Sequence, residues 1–85
     1  MQNWHVYIAK ARTQRLYVGI TTDPAKRMLK HNAGLGSRFA INQGPFELAY
    51  VSNAFVNKSE ARKREIQIKK WSRDKKLKLI TGEWS

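Results

Sequence analysis

The sequence contains no cysteine and has only two prolines, six acidic residues and no long apolar run. The lack of cysteine excludes disulfide bonds, thiolate zinc sites and cysteine nucleophiles, and it is typical of the reducing cytoplasm, where we place the chain. Apolar runs are far shorter than the roughly 18–20 residues that span a bilayer. Residues 1–5 lack the pattern of a secretory signal. The length of 85 residues predicts a single domain over 1–85.

Basic residues outnumber acidic ones by 17 to 6, which gives a net charge of +11. A compact domain with this excess repels itself, so a polyanionic partner is favoured over a basic protein whose charge serves only solubility. We expect DNA, whether branched, nicked or single-stranded, and RNA stays open as a partner. No obligate protein partner is expected. A membrane surface is less favoured, because no basic amphipathic helix has a broad apolar face.

The hydrophobic pattern predicts an α+β fold with the order β-β-α-β-α-α. Residues 4–9 and 16–21 alternate between apolar and polar positions and are rich in strand formers, so they predict an antiparallel hairpin. Residues 46–51 predict a third strand. The expected architecture is a small three-stranded antiparallel sheet flanked by helices.

Capping signals predict the helices. A Thr-Asp-Pro sequence starts a helix over residues 24–32, with Gly34 as its stop signal. An Asn-x-x-Glu capping box opens a second helix over residues 57–72. A last short helix is predicted over residues 73–80, ending at Gly82.

Two tyrosines fall on the same face of the predicted hairpin. Tyr7, Tyr17 and Gly19 share that face, and the aliphatic residues take the other. This arrangement places two hydroxyls where they can contact a phosphate or water, and Gly19 lets a nucleic acid approach closely. The alternative, which is favoured for these tyrosines taken alone, is that they simply cover half-buried surface.

Glu65 falls within the apolar arc of the second helix, together with Ala61 and Ile68. Burying an unpaired carboxylate is unfavourable, so a partner is required. The usual partner is an arginine, such as Arg27 or Arg38. The alternative is a divalent cation, because a site with one carboxylate, completed by water and substrate phosphate, suits Mg²⁺.

Basic side chains occupy two further helix faces. Arg27 and His31 lie one turn apart and form a cationic spot able to hold a phosphate, although such a pair is usually only solvated. The basic face of the second helix is predicted to lie opposite its apolar arc and to suit contact with a nucleic-acid backbone. We assign nucleic-acid binding to Gly19, Arg38, Arg62, Lys63, Lys69 and Lys70.

The joint order of these residues is more specific than any one of them. Val-Tyr-Ile at residues 6–8 is followed by Tyr-Val-Gly at 17–19, with the two tyrosines ten residues apart, then by Arg27 and His31 in the first helix and Glu65 in a later one. This order resembles the GIY-YIG nuclease superfamily, and in particular its small stand-alone, single-domain bacterial branch.

The resemblance implies a three-stranded antiparallel sheet flanked by helices and cleavage of DNA phosphodiesters with one divalent ion, Mg²⁺ or Mn²⁺. His5 stands where the family name has its first glycine, and no asparagine follows Asn57, whereas longer members often have one after the metal-binding glutamate. Glu65 is carried over as the metal ligand. The catalytic residues carried over are Tyr7, Tyr17, Arg27, His31 and Glu65.

The expected function is a metal-dependent endonuclease of low sequence specificity, with a role in DNA repair or recombination. The alternative is a non-catalytic module that binds DNA or structured RNA on a nuclease fold. A third class is an RNA- or ribosome-associated basic protein. The nuclease hypothesis makes a geometric prediction: the two phenols, the first-helix guanidinium and the later-helix carboxylate meet in one pocket.

Overall fold

The computed structural model describes residues 3–32 and 46–82, with the last two residues of the first range described by their backbone alone. Gly34, Arg38 and the side chain of His31 lie outside the described residues. The α+β class and the predicted order of elements are confirmed. The elements are β1 (His5–Ala11), β2 (Leu16–Thr21), α1 (Pro24–Asn32), β3 (Phe46–Val51), α2 (Lys58–Lys69) and α3 (Arg73–Ile80).

The sheet has the strand order β2-β1-β3 and is antiparallel throughout. Tyr7 lies opposite Gly19, and Ala9 lies opposite Tyr17, so the shared face predicted for the two tyrosines is confirmed. β1 runs to Ala11, two residues beyond the predicted end. The backbone N–H of Ala11 donates to the carbonyl of Arg15 at 2.8 Å and so extends the ladder toward the turn.

One face of the sheet, here called the aliphatic face, forms the larger part of the core. Val6 and Ile8 of β1 are fully buried against Ile68 of α2 and Leu79 of α3. Full burial of such a side chain stabilises the fold by about 1.5–3 kcal/mol. These contacts fix α2 and α3 on this face.

The opposite face, here called the tyrosine face, is covered by α1. Tyr7 and the two alanines of β1 pack with Met28 of α1 and Phe46 of β3, and Tyr17 lies against this cluster. Helices therefore cover both faces of the sheet, as predicted. No helix in residues 3–32 or 46–82 is both long and apolar enough to cross a membrane.

Side-chain caps set the helix starts. Asp23 Oδ1 accepts from the Lys26 backbone N–H at 3.1 Å, which confirms the predicted start of α1. Asn57 caps α2 in the same way, but α2 ends at Lys69, so its predicted extension to Ser72 is wrong. Ser72 has extended backbone angles, and its hydroxyl accepts from a backbone N–H of α3. A residue that caps α3 in this conformation cannot also continue α2.

Candidate active site

A cleft of about 410 Å³ opens beside β2, the edge strand along which α2 packs. Tyr7, Arg27 and Glu65, three of the predicted catalytic residues, line it together. They come from β1, α1 and α2, which are distant in the sequence. The other lining residues are Trp4, Gly19, Ile20, Thr21, Thr22, Lys58 and Arg62.

The Tyr7 phenol lies across the backbone of Gly19. Tyr7 is buried, and a Cβ atom at Gly19 would lie 2.6 Å from its hydroxyl oxygen and 2.8 Å from Cζ. Such distances are far inside van der Waals contact, so only glycine fits at this position without displacing the ring. The close approach expected at Gly19 is thus made by Tyr7 itself. Nucleic-acid binding at Gly19 stays a prediction.

Arg27 connects α1 to the phenol. Its Nε donates a hydrogen bond to the Tyr7 hydroxyl oxygen at 3.3 Å, while Arg27 as a whole is exposed. The Asp23 cap fixes the first turn of α1, and the Arg27 backbone N–H donates to the Asp23 carbonyl at 3.0 Å. A guanidinium placed between the phenol and solvent can contact both Tyr7 and an incoming phosphate.

Glu65 is buried, as predicted, with only 5% of its surface exposed. Its partners come from its own helix: Oε1 lies 3.4 Å from Arg62 Nη1, and Oε2 lies 3.5 Å from Lys69 Nζ. The ion pair suggested with Arg27 is not formed. The placement of Arg62 and Lys69 opposite Glu65 is also wrong, because residues three and four positions apart lie on the same side of a helix.

The surroundings of the Glu65 carboxylate are compatible with a role as a metal ligand. Oε1 is buried and within ion-pair distance of Arg62, but no hydrogen bond reaches it from the described residues because the contact lacks the required alignment. An acceptor in this state, in a residue that lines the cleft, fits a hard divalent cation. The described ranges contain no cluster of three His, Cys, Asp or Glu side chains. Glu65 would therefore be completed as a site by water and substrate oxygens.

Tyr17 does not line the cleft. Its ring packs edge-on against Phe46, with ring centres 5.4 Å apart, and it borders a second cavity with Arg15, Arg73 and Lys76. The prediction that both phenols meet in one pocket therefore holds only for Tyr7. A catalytic role for Tyr17 stays a prediction.

The remaining predicted residues are dispersed. His31 follows Arg27 by one turn of α1, but its side chain and all of Arg38 lie outside the described part of the chain. Lys63 is exposed and lies 3.4 Å from Glu60. Lys70 is exposed at the C-cap of α2. Neither lysine lines the cleft, and their contacts with nucleic acid stay predictions.

The sequence analysis gave no site role to five of the residues that line the cleft, and two of these, Trp4 and Lys58, contact each other. Trp4 had been given only a place in the first strand, and Lys58 had no individual role. Trp4 forms backbone hydrogen bonds with Phe55, which bring the start of α2 to the hairpin. Lys58 Nζ then lies 5.4 Å from the centre of the Trp4 ring. The only sequence signal for this contact is the apolar Phe55 just before the Asn57 cap.

Sequence comparison identifies the family to which this fold belongs. The family model described as the GIY-YIG catalytic domain matches residues 3–78, and the chain belongs to this family. The resemblance seen in the order of its residues is confirmed.

Within the family, the chain is similar to small bacterial proteins named UPF0213. It is 44% identical to one from Staphylococcus saprophyticus, over 95% of this chain and 98% of that one. It is 45% identical to one from Oceanobacillus iheyensis, over 89% and 87% of the two chains. The solution NMR structure of a UPF0213 protein from Bacillus halodurans has 38% identity, a TM-score of 0.58 and coverage of 93% and 83%.

Proposed function

We propose that the protein is a metal-dependent endonuclease that hydrolyses DNA phosphodiester bonds with low sequence specificity and acts in repair or recombination. The observation that carries the proposal is the shared cleft of Tyr7, Arg27 and Glu65. Membership of the GIY-YIG family and the net charge of +11 support a nucleic-acid substrate. Branched, nicked and single-stranded DNA are the proposed substrates.

Tyr7 is the residue placed to handle the attacking water. It orients the water and, when ionised, accepts the proton that the water loses, while Arg27 holds the phenol oxygen through a hydrogen bond. The water oxygen forms a bond to phosphorus as the bond to the leaving 3′ oxygen breaks. Arg27 also contacts the phosphate and offsets the charge that develops in the transition state.

Glu65 is the residue placed to hold Mg²⁺ or Mn²⁺. Bound there, the ion would supply Lewis-acid stabilisation of the charge that develops during the reaction. Enzymes typically lower the barriers of such slow reactions by about 8–23 kcal/mol, which cationic side chains alone do not provide. Until a cation binds, Arg62 and Lys69 neutralise the carboxylate. Both side chains are about half exposed, so they can turn toward the substrate phosphates.

The test is nicking of supercoiled plasmid in Mg²⁺ or Mn²⁺, with EDTA as the metal-free control. Glu65→Ala should abolish cutting while DNA affinity stays nearly intact, since the carboxylate serves the metal rather than the DNA. Glu60→Ala is the matched control on the same helix. Glu60 is half exposed and pairs with Lys63 away from the cleft, so its loss should leave cutting unchanged. Equal loss of cutting and affinity in Glu65→Ala would refute the metal assignment.

A non-catalytic module that binds DNA or structured RNA is the second candidate. The observation that favours it is the double ion pair of Glu65, in which Arg62 and Lys69 neutralise the charge of the carboxylate without a metal. This candidate predicts no metal-dependent cutting by the wild-type protein. It also predicts binding that weakens steeply with salt, by about 0.9 in log K per unit of log salt for each neutralised duplex phosphate.

A further inference from the structure

A second cavity, of about 230 Å³, lies beside β2 and shares no residue with the cleft. One wall is formed by the first two residues of β2 and by Arg15, which precedes the strand. The first turn of α3 forms the other wall. Three of the five lining residues are cations, and none is acidic. The lining residues are Arg15, Leu16, Tyr17, Arg73 and Lys76.

The two cations that α3 places in this second cavity are unfavourable for the helix itself. Arg73 and Lys76 are three residues apart on α3, a spacing at which like charges destabilise a helix. Both also lie near the positive end of the helix, where cations are disfavoured. Arg15, in the turn before β2, adds a third positive charge to the same cavity. An anion bound among these three side chains would offset their mutual repulsion.

The same strand borders both the second cavity and the cleft. Leu16 lines the cavity and Ile20 lines the cleft, and four residues of strand span about 13 Å. A stacked nucleic-acid strand carries one phosphate per roughly 3.4 Å along its axis, so this span corresponds to about four nucleotides.

We propose that Arg15, Arg73 and Lys76 form a second phosphate-binding site for the DNA strand whose scissile phosphate lies in the cleft. The site binds a backbone phosphate about four nucleotides from the bond that is cut. This inference rests on the proposed function, since it assigns the second anchor of the same substrate. This second contact positions the DNA strand through its backbone and is independent of the base sequence.

The experiment measures how the affinity for a single-stranded oligothymidylate, long enough to span both sites, depends on salt in EDTA. Each phosphate contact with a single strand contributes about 0.7 to the slope of log K against log salt. The Arg73→Gln/Lys76→Gln variant should therefore lower the magnitude of the slope by about 0.7, because the site binds one phosphate. Lys10→Gln/Lys78→Gln, the matched control, removes the same charge outside both cavities and should leave the slope unchanged.

Two further variants test the role of charge. The exchange Arg73→Lys/Lys76→Arg keeps both charges and should keep the wild-type slope. Arg15→Gln acts from outside α3 and should lower the magnitude of the slope by up to about 0.7, so it serves if the double variant does not fold. Circular dichroism melting checks the fold of each protein.

Equal slopes for the double variant and its control pair would overturn the inference. A wild-type protein that binds and cuts DNA, with a slope that none of these substitutions changes, would overturn this inference alone. A wild-type protein that binds no nucleic acid would overturn the proposed function as well.

Discussion

On the aliphatic face of the sheet, Val6 and Ile8 are fully buried against side chains from α2 and α3, whereas on the tyrosine face Tyr7 lies over a glycine and beside alanine. Branched aliphatic side chains fill the space around Val6 and Ile8 on the first face. The second is built from small residues, which leave room for a phenol to reach the cleft. In β1, Val6 and Ile8 thus contribute mainly to stability, whereas Tyr7 between them is the proposed catalytic residue. Single substitutions can therefore test the two contributions separately.

Tyr7→Phe tests the tyrosine face and should have the largest effect. Loss of the hydroxyl removes the group proposed to orient the attacking water and accept its proton. Such proton-transfer groups contribute about 10²–10⁴-fold to rate. The fold loses the hydrogen bond from Arg27, which contributes about 0.5–1.5 kcal/mol. Plasmid nicking rates and urea unfolding measure the two effects.

Tyr17→Phe is the control for that experiment. It makes the same chemical change on the same face but outside the cleft, so its effect on nicking should be smaller. If both variants lose activity equally, the distinction between the two phenols is wrong.

Ile8→Ala tests the aliphatic face. The side chain is fully buried, and truncations of this kind destabilise a protein by about 2–5 kcal/mol. That loss is a large part of the roughly 5–15 kcal/mol typical of a whole domain. Urea unfolding measures it. Ile66→Ala on α2 is the control, since Ile66 is 47% exposed and its truncation should change stability by less than about 0.5 kcal/mol. Similar losses in both variants would contradict the assigned core.

Gly19→Ala should reduce both stability and nicking activity, because Gly19 lies under the Tyr7 ring. The added methyl group forces the Tyr7 ring to move, and such overpacking costs about 1–3 kcal/mol. Nicking should fall because the hydroxyl shifts away from Arg27. In a Tyr7→Phe background the same change should still cost stability but should reduce nicking little further. Additive losses of activity in the double variant would show that Gly19 acts independently of Tyr7.

Ser72→Ala should have the smallest effect, confined to the aliphatic face. It removes the hydroxyl cap of α3, the helix that supplies Leu79 to the core. Loss of such a cap costs about 1 kcal/mol. Thermal unfolding measures it, and Ser72→Asp, which retains a capping oxygen, should restore most of the stability. Nicking at a temperature where both variants are folded should stay unchanged, and a loss there would indicate that the cap also positions Arg73 and Lys76 for the DNA.

Local signals predicted most of the fold. Alternation along β1 and β2 fixed which residues share a face, and the caps at Asp23 and Asn57 fixed where two helices start. The end of α2 could not be predicted in this way. A serine at position 72 is compatible with a last helical residue or with a cap, and the choice depends on how α3 packs against the sheet.

The candidate site was predictable only in part. The burial of Glu65 follows from helical period, but its partners could not be chosen by charge alone among so many cations. Arg62 and Lys69 reach it because neighbouring turns of one helix are already adjacent, whereas Arg27 must approach from another element. Tyr17 shares a face with Tyr7, yet face periodicity does not say how far along the strand the cleft extends.

The indole of Trp4 in the cleft wall, with the Lys58 ammonium above it, gives the molecule a built-in optical reporter. A nucleic acid that enters must compete with that ammonium for the ring, and the change in surroundings alters intrinsic fluorescence. The chain has three tryptophans, so replacing Trp71 and Trp84 by phenylalanine isolates the signal from the remaining one. Emission from that protein would follow occupancy in real time, before any bond is broken.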